Sequence, residues 1–421
     1  MIMAKHSLIS RRRWLALVGA GAYTPLAGLP VTRAAQSTTS DAELRRRIHR
    51  VVDEFSDQGF HRTGTAVDNK SGDWLCDEIR RFGVVATREP FPLNRVDPID
   101  GSLMAGGRRL EGLPLFDAAF TDRAGVRGQF GPMESDAEIG LVDAPPNTAG
   151  AGALGDARRA DRHKALVCVT RGVQPGLCPN NADAFLNPFG PPVLQLSSEH
   201  LEYLQDQARR AATVNLIAAV GRTPVTSFNV VATIRGRNPN LSPLVVMTPR
   251  SGWYACASER GGGLVCWLEL MRELHREPAA RDVMFVASSG HELGHLGINA
   301  FIANRGDITS RAVAWMHFGA NVGAATRPDN TIQASDDERE TVLSQALTTF
   351  ALPISRRVPR GTVPAGEAEA VHKGGARYIS VLGSSTLFHN PADRGSGTVD
   401  AEALSRFVRA LTLVARTLSA S

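Results

Sequence analysis

Asp282-Val283-Met284-Phe285-Val286-Ala287-Ser288-Ser289-Gly290-His291-Glu292-Leu293-Gly294-His295-Leu296-Gly297 is the stretch on which the fold turns. Residues 282–288 read as a strand whose middle is unbroken apolar, without the alternation of a strand that faces water on one side. A strand of that kind is covered on both faces, as in a parallel sheet. Working outward, the same reading holds for 229–234, 243–248 and 312–317. Helical patterns at 263–275 and 292–303 lie between these runs. Strands alternating with helices predict an α/β fold, a three-layer αβα sandwich around a mostly parallel central sheet. In such sheets ligands gather at the carboxyl ends of the strands. His291, Glu292 and His295 stand at one of those ends.

The rest of the chain fits around this core. The N-terminal part reads as helical from Asp41 to about Glu54, and a second helix stops at Gly83. From 96 to 225 the pattern changes to short apolar runs, such as 165–170 and 192–196, broken by Gly, Pro and Asn. That suits a small β-rich inserted domain. Residues 36–95 and 226–421 then make the two parts of the main domain. A helix near 341–352, a strand at 378–382 and an amphipathic helix from 401 to about 418 complete it.

Composition narrows the function. With 421 residues, 43% hydrophobic and 21% charged, the chain is globular rather than disordered. Its formal charge is +5, yet residues 1–35 hold Lys5, Arg11, Arg12, Arg13 and Arg33 and no acid. The remainder is electrically neutral, which excludes the basic surplus of a nucleic-acid protein. Ser10-Arg11-Arg12-Arg13-Trp14-Leu15 opens a leader with a modest apolar middle and small residues at its end. The paired arginines predict a twin-arginine signal and a periplasmic or secreted protein. Beyond the leader no apolar run is long enough to span a bilayer. Five cysteines, Cys76, Cys168, Cys178, Cys256 and Cys266, carry no CxxC spacing; Cys168 and Cys178 could bridge in an oxidising compartment.

Three ionisable groups within residues 291–295 are costly to bury without a partner or a metal. His291 and His295 are spaced as in HExxH zinc proteases. Gly290 and Gly294, and the strand just before, place His291 in a loop instead. Ile298 and Phe301 stand where a longer metzincin pattern would need Gly and His. Gly261-Gly262-Gly263 lacks the Lys-Ser/Thr of a phosphate loop, and no GxSxG elbow occurs.

Taken together, the motifs resemble those of the family-twenty-eight metallopeptidases, the co-catalytic zinc aminopeptidases. Residues 288–297 are similar to that family's EELGLLGS loop, and Cys256-Ala257-Ser258-Glu259-Arg260-Gly261-Gly262-Gly263 to its GAxDNxSG loop. Leu387-Phe388-His389-Asn390-Pro391-Ala392-Asp393 is similar to its YHTPxD, and Ser227-Phe228-Asn229-Val230-Val231-Ala232 to its SxNVVA. Residues 128–221 resemble an inserted protease-associated domain. The active-site loops depart from the pattern: Pro249 and Ser251 stand where the family has a His ligand and an Asp. The resemblance implies metal ligands at Glu259, Glu292 and His389, with His317 auxiliary, around one zinc ion. His291 falls at the position of the general base.

The function implied is an exported, zinc-dependent, aminopeptidase-like hydrolase of peptide or small amide substrates. Two alternatives stay open at this point. Pro249, Ser251 and the missing base glutamate suit a peptidase-fold binding protein that has lost its metals. Ser251 or Ser258 with His291 suits a metal-independent serine amidohydrolase.

Overall fold

The computed structural model describes residues 40–420; the leader and its twin-arginine motif lie outside them. At the centre run the parallel strands Tyr378–Gly383, Ala314–Phe318, Leu244–Pro249 and Val283–Ser288, in that spatial order. Side chains alternate between two cores. Leu244, Val246, Phe285 and Met316 pack with the helices Asp41–Ser56, Ala257–Arg276 and Ala401–Ala420 on one face. Val245, Met247, Val286 and Trp315 pack with Ile298, Phe301 and Val371 on the other. Burial on both faces is why these runs carry no polar alternation.

The sheet is mixed rather than uniformly parallel. It has 14 strands, and Thr213–Ile234 joins Val283–Ser288 antiparallel. The run 229–234 is the end of this 22-residue strand, which pairs antiparallel along Ala86–Ala105. Asn330–Ala334 also joins antiparallel, beside Tyr378–Gly383. An apolar run reports burial of both faces but not the direction from which the chain arrives. The positions 96 and 225 fall inside the two long strands, which continue into a second lobe. There Val126–Pro132, Ile139–Ala144, Ala165–Thr170 and Val193–Ser197 pair parallel, with apolar clusters of their own. All five cysteines are buried and free, Cys168 and Cys178 included. No helix among the described residues is long and apolar enough to cross a membrane.

The helix Ala257–Arg276 carries the site and is buried along most of its length. Three consecutive glycines inside a helix each cost about 1 kcal/mol relative to alanine, so a packing reason is needed. A Cβ on Gly262 would collide with the Val322 carbonyl oxygen, one on Gly261 would press Val52, and one on Gly263 would meet Thr248 Oγ1 at 2.7 Å. The triplet lets the helix approach the backbone that follows the Ala314–Phe318 strand. Gly262→Ala is therefore expected to destabilise by about 1–3 kcal/mol, read as a lower urea midpoint. Gly397→Ala, with nothing within 4 Å of the new methyl, is the control and should stay within about 0.5 kcal/mol.

Candidate active site

The site lies where the central strands end. Asp393 fixes the start of the Ala257–Arg276 helix: its carboxylate accepts from Ser258 N at 2.8 Å and Glu259 N at 3.0 Å. Burial pushes the Asp393 carboxyl up to about 6, against those hydrogen bonds. Glu259 and Arg260 follow in the first turn. The guanidinium is fully buried, donates from Nε to Ser251 O at 2.7 Å, and sets Nη2 2.7 Å from Glu259 Oε1. Burial works against the Glu259 charge, but Arg260, His389 and His291 outweigh it and hold the carboxyl well below the usual range.

His389 arrives from the far end of the chain. Its Nδ1 lies 2.6 Å from Pro179 O, which fixes the proton on that nitrogen in the neutral ring, and its Nε2 lies 3.4 Å from Glu259 Oε1. The imidazole and the carboxylate thus face one another. His317, at the end of the Ala314–Phe318 strand, bonds Ser380 Oγ through Nδ1 at 2.8 Å; burial lowers it to about 4. His291 sits just past the Val283–Ser288 strand, its ring centroid 5.0 Å from that of His295. Burial, then the charges of Arg260 and His295, hold its imidazole well below the ordinary range, against the pull of Glu259. Glu259 Oε1, His291 Nδ1, His317 Nε2, His389 Nε2 and both terminal nitrogens of Arg260 are buried without a hydrogen-bond partner. Native interiors rarely leave one such atom unpaired.

Glu292, expected beside Glu259 and His389, points elsewhere. Its Oε1 accepts from Thr63 N at 2.6 Å and its Oε2 from Ser251 Oγ at 2.8 Å. Burial raises its carboxyl, partly offset by those bonds. Ser251 Oγ in turn accepts from Gly290 N and His291 N at 2.9 and 3.1 Å. Glu292 and Ser251 therefore brace the loop that carries His291. The expected zinc shell does not close: Glu259 and His389 meet, Glu292 is committed to Thr63 and Ser251, and a guanidinium shares the centre. Among the described residues no three His, Cys, Asp or Glu side chains are gathered as one ion needs. Ser251 and Ser258 bond Glu292 and Ser385, not an imidazole.

Two residues of the site were not legible as such in the sequence. Arg260 reads there only as the far half of a local ion pair. Glu367, fully buried, takes Ser288 Oγ at 2.5 and 2.6 Å and lies 3.8 Å from His291 Nδ1; it comes from a loop with no motif around it, marked only by Gly366 at φ +68°, against His317. Cys256, His295, Asn321 and His389 hold left-handed φ between 52° and 61°. Strained non-glycine backbone of this kind gathers at functional sites. The segment 172–190 of the second lobe covers the centre: Pro179 O meets His389, Ala182 N donates to Glu292 O at 2.8 Å, and Leu177 O accepts from Tyr254 Oη at 2.9 Å.

No protein-family model matches the chain. It is 24% identical over 295 residues to aminopeptidase YwaD of Bacillus subtilis, a match covering 65% of this chain and 61% of that one. The structure of a zinc aminopeptidase from Bacillus subtilis superposes with a TM-score of 0.71 at 17% identity, covering 89% of this chain and 94% of the other. A Peptidase M28 precursor from Shewanella amazonensis gives 0.71 at 14%, covering 90% and 96%. The protein thus has the fold of the zinc aminopeptidases of the peptidase M28 family, with a distant sequence likeness to one aminopeptidase.

Proposed function

We propose that the protein is a hydrolase of peptide or amide bonds, of the aminopeptidase type, acting at the centre of Glu259, His291, His317 and His389. The observation that carries this is the set of unpartnered buried atoms at the carboxyl ends of the central strands, in a fold shared with zinc aminopeptidases. His291 is the proton acceptor: a neutral imidazole in a dry site keeps its lone pair free for a water attacking the scissile carbonyl. Ser251, through Gly290 N and His291 N, holds it there. A cavity of about 500 Å³ lined by Arg171, Asn321, Ser385 and Phe388 adjoins the centre, with Phe388 stacked on His389 at 4.0 Å; it is the proposed seat of the substrate. The second lobe, read in the sequence as a protease-associated insertion, would govern access through segment 172–190. The zinc shell does not close on the residues present, and in this reading the proton transfer falls to His291. Export by the twin-arginine route belongs to the same proposal and rests on residues 10–15 alone.

The test is a panel of twenty aminoacyl-coumarin amides and a mixed peptide library, incubated with full-length purified protein. Release of coumarin, or N-terminal trimming seen by mass spectrometry, is the expected result. Silence on both panels, from protein shown to be folded, removes the hydrolase reading and leaves the binding-protein alternative.

A further inference from the structure

We infer that Arg260 is the resident cation of this centre, and that its guanidinium keeps zinc out of the Glu259–His389 pair. Both side chains of the Glu259–Arg260 pair are shut off from water. A buried charge is tolerated only when paired, and Arg260 is paired on one side alone. Nε is anchored on Ser251 O and Nη2 faces Glu259 Oε1, while Nη1 and Nη2 complete no hydrogen bond. Glu259 Oε1 lies 3.4 Å from His389 Nε2 and 2.7 Å from Arg260 Nη2, so the guanidinium already sets a positive charge beside the pair that would hold an ion. An ion bound to Glu259 Oε1 would lie at about 2 Å from that oxygen, and so within about 5 Å of a side chain that arginine keeps charged. Glu292 is committed to Thr63 N and Ser251 Oγ and Glu367 to Ser288 Oγ, so neither carboxylate joins Glu259 to offset a second cation.

Nη1, which has neither a hydrogen-bond partner nor the Glu259 carboxylate that faces Nη2, is then the N–H donor left for an oxygen that is negative or becoming so. On the hydrolase reading above, on which this part rests, that oxygen is the carbonyl oxygen of the scissile bond. Arg260 would do covalently what an ion does elsewhere, fixing positive charge beside the reacting carbonyl.

Zinc alone is the probe. Full-length protein dialysed against micromolar zinc and then against metal-free buffer is expected to keep less than about 0.1 zinc per chain by mass spectrometry. Arg260→Ala, which removes the guanidinium, is expected to rise to about one, the stoichiometry of a single site. Arg260→Ala/His389→Ala should fall back again. About one zinc in the unmodified protein, lost in Glu259→Gln, would overturn the inference, as would a folded Arg260→Ala that takes none. Should that variant fail to fold, cobalt absorption on the unmodified protein decides alone: visible bands lost on adding zinc contradict the inference, and their absence supports it. The readouts separate the two readings. Zinc-free protein that hydrolyses nothing leaves Arg260 in place and removes the hydrolase; zinc-loaded, active protein does the reverse.

Discussion

Asp68→Ala is expected to lower the stability of the fold by about 3–5 kcal/mol, the range for removing one partner of a buried ion pair. Asp68 and Arg250 are both buried, with Arg250 Nη1 2.7 Å from Asp68 Oδ1. The same carboxylate accepts from Gly64 N at 2.8 Å, Ser227 Oγ at 2.7 Å and Ser289 Oγ at 2.9 Å. Truncation takes this acceptor from all of these donors, and the counter-charge from a buried guanidinium, in a dry interior. Arg250 retains only backbone carbonyls, those of Asp68 and Phe228. Against a total stability of about 5–15 kcal/mol for a typical domain, the loss should appear as a large drop in the urea midpoint. Asp68→Asn keeps two acceptor lone pairs and the shape, and should fall between. Arg88→Ala removes a partner from an exposed pair with Asp73 and should cost no more than about 1 kcal/mol. An Asp68→Ala variant as stable as Arg88→Ala would refute the claim that this pair holds the core together. The consequence reaches the site, because Arg250 begins the turn that carries Ser251, and Ser251 holds the His291 loop.

That turn shows what a sequence conveys and what it withholds. Pro249 and Ser251 read as departures from the family's metal-binding loop. The turn's employment, with Arg250 as an ion pair with Asp68 and Ser251 as a brace for Gly290 and His291, depends on a helix some 180 residues earlier. Periodicity reports burial, so the central strands and the main helices were readable. The strand Ala86–Ala105 was not, since Pro90, Pro92 and Pro98 argue against one. It tolerates them because, up to residue 100, it pairs on one side only, with Thr213–Ile234; proline fits an edge that needs no further donor. Among the candidate site residues, the family resemblance singled out Glu259, His291, His317 and His389. It could not say which way a carboxylate turns: Glu292 satisfies Thr63 N, 229 residues away, a contact that no local pattern encodes.

On the proposed hydrolase reading, His291→Ala is expected to cut kcat/KM by about 10²–10⁴, the usual contribution of a positioned general base, with nearly all of the loss in kcat. The three central histidines are not equivalent. Nδ1 of His317 is held by Ser380 and Nδ1 of His389 by Pro179, and neither ring has more than about a hundredth of its surface exposed. His291 is 6% exposed, its Nδ1 has no hydrogen-bond partner, and burial beside Arg260 keeps the ring neutral. It is the one of the three with both a free lone pair and a route to water. Loss of a proton acceptor weakens the transition state without touching the bound substrate, so KM should move by no more than about threefold. His291→Asn, which keeps polarity and much of the volume but cannot take a proton near neutrality, should be as impaired as alanine. His317→Ala separates chemistry from packing: it opens a cavity and should lower the melting temperature, whereas His291→Ala should leave it nearly unchanged. Equal kcat in His291→Ala and the unmodified protein would move the base elsewhere, to the Glu367 carboxylate that lies 3.8 Å from His291 Nδ1.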